Sequence, residues 1–173
     1  MPILFDLAWS NGVTDFSDIR ASYAKFKEAQ NKYWDDLQDK AWRLALGFEE
    51  HLGLKGQQYA VPGKGNEPYF QVGVMDKGDF KPIHGPAFTG DDLKVQFVIK
   101  LILDEAPNVF PKKGLLLKSA IGKQDGGYMV IIEGRSGRLG VQVPASFGAQ
   151  DLDEVYEVMA QEIIGNMDTS IFE

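Results

Sequence analysis

Apolar side chains recur at steps of three and four along the first third of the chain. They are Ile19, Tyr23, Phe26, Tyr33, Leu37, Ala41, Leu44, Phe48 and Leu52, with Gln30 at the one skipped position. That is the period of a single helix face. Asp15 or Ser17 offers the N-cap, and charges of both signs fill the remaining faces. From Ser17 to Leu52 such a helix would measure about 54 Å at 1.5 Å per residue. A compact chain of 173 residues has a radius of gyration of only about 16 Å. A straight helix would overhang that body. A break is therefore expected around Gly47; otherwise the helix projects and needs a partner over its end.

After Gly53 and Gly56 the period changes to two. Tyr69 to Met75 alternates and places Phe70, Val72 and Val74 on one face. Asp76-Lys77-Gly78-Asp79 reads as a hairpin turn into Phe80 to His84, where Pro82 restricts the strand to a sheet edge. In the strongest strand, Leu93, Val95, Phe97, Ile99, Leu101 and Leu103 face one way and Lys94, Gln96 and Lys100 the other. Val98 and Ile102 interrupt that polar face, so part of it is expected to be covered. Leu115–Ile121, Tyr128–Glu133 and Arg138–Val143 continue as a meander, and a helix from about Asp151 to Ile164 closes the chain. Ile3 to Trp9 reads as a short strand before an Asn11-Gly12 turn. The fold class expected is α+β, one domain over residues 1–173. A long N-terminal helix (or broken helix pair) and a C-terminal helix pack on a five- to six-stranded antiparallel meander.

Composition narrows the function. At 44% hydrophobic the chain is ordinary globular material. It has no cysteine, which removes disulfides, thiolate nucleophiles, zinc fingers and iron–sulfur ligation together. No run approaches the roughly 20 apolar residues that span a bilayer, and the N-terminus lacks the basic start of a signal peptide. A cytoplasmic location is expected. The net charge is 18 − 25 = −7 with no basic cluster, which argues against nucleic-acid and anionic-membrane partners. Asp151 to Glu173 holds seven acids and no Lys or Arg, and so accounts for the whole imbalance. On a helix, Leu152, Val155, Tyr156, Met159 and Ile163 share one stripe, with Asp153, Glu154 and Glu157 opposite. A solvated face accounts for most of that pattern. The missing bases make Asp153, Glu154 and Glu157 the candidate partner-binding residues.

Other chemistry is sparse. "VPGKGNEPYF", Val61 to Phe70, carries phosphate-loop residue types, but it leads into a strand instead of a helix and reads as a connecting loop. His51 sits near the end of the long helix, where a cation complements the carbonyl end. Trp34 and Trp42 read as helix-packing residues. If the meander is consecutive, His84, Asp91, Asp92 and Asp125 share one end of the sheet, where a histidine with carboxylates could act as acid and base or hold a metal. Asp76, Asp79, Asp104, Glu105, Glu133, Lys112, Lys113, Arg135 and Arg138 would form a solvated rim at the other end.

The leading expectation is a non-enzymatic protein-binding protein, an acidic inhibitor or immunity-type protein acting on a basic partner. The long N-terminal helix also offers a homodimer interface. One alternative is a small-molecule-binding module with a helix-grip-like cavity under the last helix. Another is a hydrolase-type enzyme using His84 and nearby carboxylates. No cofactor or metal is implied.

Overall fold

The computed structural model describes Gly12 and residues 14–173. The expected strand at Ile3–Trp9 and its turn residue Asn11 lie outside the described residues. Helix α1 runs from Phe16 to His51. Asp15 caps it, its carboxylate accepting from the Ser17 amide at 2.7 Å and the Asp18 amide at 3.2 Å. Two compact units, Met1–Tyr33 and Trp34–Glu173, divide within this helix.

In the larger unit, α1 passes through Gly47 without a break, contrary to the sequence expectation. The glycine serves a different purpose. A Cβ at Gly47 would run into the hydroxyl of Tyr156 and stand 3.0 Å from its Cζ. Close approach of the last helix to α1, and not a kink, requires the missing side chain.

Nine strands follow: β1 Gln58–Val61, β2 Gly65–Pro68, β3 Phe70–Asp76, β4 Asp79–Pro82, β5 Thr89–Asp91, β6 Lys94–Leu103, β7 Lys113–Gln124, β8 Gly127–Gly134 and β9 Gly137–Val143. A 3-10 turn at Ala149–Leu152 leads into α2, Asp153–Gly165. The fold is α+β with a mainly antiparallel sheet. β1 and β2 form a separate hairpin, so the presumed loop from Val61 to Phe70 is largely strand and carries no phosphate-loop geometry. The other seven strands form one sheet in the order β4-β3-β6-β7-β8-β9, with β5 also paired to β6.

That order departs from a consecutive meander. Phe70–Gly73 of β3 pair with Val98–Leu101, and Thr89–Asp91 of β5 pair with Lys94–Gln96. Two strands thus share one edge of β6 and part at Phe97. Pro82 lies in β4, the edge strand, as its missing amide requires.

One face of the sheet carries the core. Val95, Phe97, Ile99 and Leu101 of β6 are buried there, with Leu117 and Ile121 of β7 and Val130 and Ile132 of β8. Leu37, Ala41, Leu44, Ala45 and Phe48 of α1 and Val155, Tyr156, Met159 and Ile163 of α2 are buried as well. The rings interlock: Phe48 meets Phe70 at 6.2 Å and Tyr156 at 5.8 Å, and Phe88 meets Phe97 at 5.9 Å. Leu93, which the alternation in the sequence sets on the same face, is exposed. It sits in the β5–β6 turn at φ 57°, outside the alternation. Ser119 is the buried polar exception, and its hydroxyl has no hydrogen-bond partner among the described residues.

Candidate functional site

The carboxylates and histidine singled out from the sequence are only partly brought together. Asp91 and Asp92 lie at the β5–β6 turn and Asp125 in the β7–β8 turn. Lys94 pairs with Gly122, so both turns fall at the same end of the sheet. His84 does not join them. The amide of its neighbour Ile83 donates to Val72, which stands level with Ile99. That is five residues along β6 from Lys94, or about 17 Å at 3.3–3.4 Å per residue. The inverted order of β3 and β4 causes the separation. No group of three or more His, Asp or Glu able to hold a metal occurs among the described residues.

The expected far rim is also divided. Asp76 and Asp79 pair across the β3–β4 turn, while Asp104 and Lys112 belong to the β6–β7 connection. Lys112 is not solvated. Its ammonium lies 4.8 Å from the Phe110 ring centroid, 4.9 Å from that of Tyr59 and 5.7 Å from that of Tyr69. It donates to Asp104 at 2.5 Å and to the Pro107 carbonyl at 3.0 Å. The Lys112 bond holds the Asp104 carboxyl below the usual carboxylate range. Asp104 in turn accepts from Tyr69 at 2.6 Å, and this bond pushes the tyrosine up to about 12. The cluster staples the loop and leaves its lysine no capacity for a ligand.

A second network ties α1 to the sheet. Asp36 accepts from Tyr128 at 2.7 Å and pairs with Lys123 at 3.0 Å and Lys40 at 3.5 Å. Burial alone would raise the Asp36 carboxyl; the Tyr128 bond and the two lysines outweigh it, and the net direction is down. Burial, then the Asp36 bond, pushes Tyr128 up to about 12.

The acids of α2 lie where the period placed them. Asp153, Glu154 and Glu157 are exposed, and Leu152, Val155, Tyr156, Met159 and Ile163 are buried. Trp42 packs on Phe88 at 6.1 Å, and the Trp34 ring occupies the space a side chain at Gly90 would need, so both indoles serve packing. His51 ends α1 with its ring tilted against that of Tyr156, the centroids 5.3 Å apart.

Two further surfaces were not singled out from the sequence. The first lies on the unit that ends at Tyr33. Phe16, Ile19, Tyr23 and Phe26 are 56–66% exposed. Their spacing of three, four and three sets them on one helix face as an apolar stripe. Residues 16–33 contain Arg20, Lys25, Lys27 and Lys32 against Asp18 and Glu28, a net 4 − 2 = +2 in an otherwise acidic chain.

The second is a hollow of about 270 Å³ on the open face of the sheet, at the fork where β3 and β5 part along β6. Register explains its shape. The row Thr89, Gln96, Ala120, Ile131, Gly140 is short in the middle. Longer side chains flank it: Asp91 and Lys94 on one side, Lys118, Glu133 and Arg138 on the other. Lys94 pairs with Asp92 at 3.1 Å and Arg138 with Glu133 at 3.8 Å. The hollow lies on the face away from α2, whereas a helix-grip cavity would lie beneath it. No helix among the described residues is long and apolar enough to cross a membrane. Comparison of the chain with known families, curated proteins and solved structures finds no match.

Proposed function

We propose that this protein acts by protein–protein contact and that the stripe Phe16, Ile19, Tyr23 and Phe26 is its docking element. The observation that carries the reading is the exposure of four large apolar side chains on one helix face. Scattered exposed apolar residues need no explanation, but a contiguous stripe lined by charge is the form of a helix that lies in a partner's groove. Aromatic residues are favoured anchors in such grooves. Arg20 and Lys27 border the stripe, so the complementary partner has an apolar groove with an acidic rim. This differs from the basic partner expected from net charge, because the local charge of the docking element has the opposite sign to that of the chain.

The test is capture from the native cell with wild type, a Tyr23→Glu/Phe26→Glu variant and a Lys27→Glu variant. Both substituted regions lie outside the buried core, so the melting temperature should be unchanged. The expected result is a partner held by wild type, lost by the double variant, and weakened by Lys27→Glu more at low salt than at high salt. An identical set of captured proteins for all three would overturn the reading.

A further inference from the structure

The hollow at the strand fork carries charge that the fold itself does not use. Of its charged side chains, Lys94 is occupied by Asp92 and Arg138 by Glu133. Asp91 and Lys118, opposite in sign, have no ion-pair partner among the described residues. They cannot satisfy each other. Asp91 stands level with Lys94 on β5 and Lys118 level with Val98 on β7. The separation is four residues along the strands and two strand spacings across them, so their Cα atoms lie about 16 Å apart. Both side chains stand up from the sheet and lean along it only in part, so they close about 4 Å of this and leave about 12 Å between ammonium and carboxylate. Two extended residues, about 7 Å long, with a charge-assisted bond of about 2.8 Å at each end, span that distance.

We propose that this hollow binds a small zwitterion of dipeptide size, its ammonium at Asp91 and its carboxylate at Lys118. The floor suits the body of such a molecule. Gln96 and Thr89 lie between the two charges and can meet a peptide unit, while Ala120 and Ile131 offer apolar contact to short side chains. The volume of about 270 Å³ is at the small end of ligand sites, which excludes nucleotide-sized molecules. Charge-assisted bonds at both ends supply orientation, and shortening or neutralising either end of the ligand removes one of them.

The probe is dialanine, titrated into the full chain and followed by amide chemical shifts. Saturable shifts are expected around Asp91, Gln96, Lys118 and Ala120. N-acetyl-dialanine and dialanine amide should each bind about tenfold more weakly, the loss of one charge contact. Lys118→Met should erase the difference between dialanine and its amide, and Asp91→Asn the difference between dialanine and its acetylated form. Both side chains are exposed, and the amide spectrum itself reports whether each variant is folded. Three results would each overturn the proposal: no saturable shift with dialanine, equal binding of the blocked forms, or shifts at another surface.

Discussion

Replacing Gly47 with alanine sets two effects of known size against each other. In a helix interior, Gly→Ala stabilises by about 1 kcal/mol through backbone entropy. Here the added methyl meets the Tyr156 hydroxyl and lies 3.0 Å from Cζ. The ring cannot swing aside, because it is buried against Phe48 at 5.8 Å and His51 at 5.3 Å. Overpacking of a filled core costs about 1–3 kcal/mol, and a clash with a ring held on both sides belongs at the upper end. The net expectation is destabilisation of about 2 kcal/mol, a fall in melting temperature of roughly 4–8 °C for a chain of this size. Tyr156→Phe removes the obstructing oxygen. That hydroxyl makes no hydrogen bond among the described residues, so the single change should cost less than about 1 kcal/mol. In the Tyr156→Phe background, Gly47→Ala should be neutral or stabilising, a coupling of about 2 kcal/mol between the sites. Urea unfolding of the four proteins, followed by far-ultraviolet circular dichroism, measures the cycle. If Gly47→Ala costs the same in both backgrounds, clearance for Tyr156 is not why the glycine is there. If it stabilises the wild type, the close approach of α2 to α1 is wrong.

Phe97→Ala should cost about 3–5 kcal/mol, since the ring is fully buried against Phe88; a near-native melting temperature would contradict its central position. Ser119→Ala should raise stability by about 1 kcal/mol in a denaturant titration, because it removes a buried hydroxyl without a partner. Glu154→Gln and Glu157→Gln should change stability by less than about half a kcal/mol; if α2 also steers a basic partner, they should slow association at low salt only. Alkaline titration should show stability lost from pH 10 towards 12. Tyr128 and Tyr156 are raised from 10 to about 12 on folding, both chiefly by burial, so the native state holds protons that the unfolded chain has released. Tyr156→Phe should make the loss shallower, and an unchanged pH profile would count against its burial. Asp36 has the opposite sign: its contribution is present above the ordinary carboxylate range and disappears as pH falls below it, so Asp36→Asn should flatten the acid limb.

Local features were legible in the sequence because each depends on neighbouring residues alone. Asp15 caps α1 because a carboxylate two and three residues ahead of free amides will accept from them wherever the helix goes. Asp76 to Asp79 turns because Gly78 adopts φ 87° at little cost, and Pro82 confines its strand to an edge by lacking a donor. The buried stripe of α2 follows from a period of 3.6, and the alternating core of β6 from a period of two.

Periodicity does not say what covers a face, and there the tertiary structure decided. The same three-and-four spacing runs through Tyr23 and Leu44, yet one is exposed and the other fully buried. Which strand lies beside β6 depends on two segments dividing one edge, β3 at one end and β5 at the other. That division separates His84 from the three aspartates and opens the fork on the other face. Lys112 reads as a rim charge until the rings of Tyr59, Tyr69 and Phe110 close around it. Gly47 reads as a helix breaker until a tyrosine more than a hundred residues later occupies the space of its side chain. Residue type sets what a position can do; the distant residues that folding brings against it select which of those things it does.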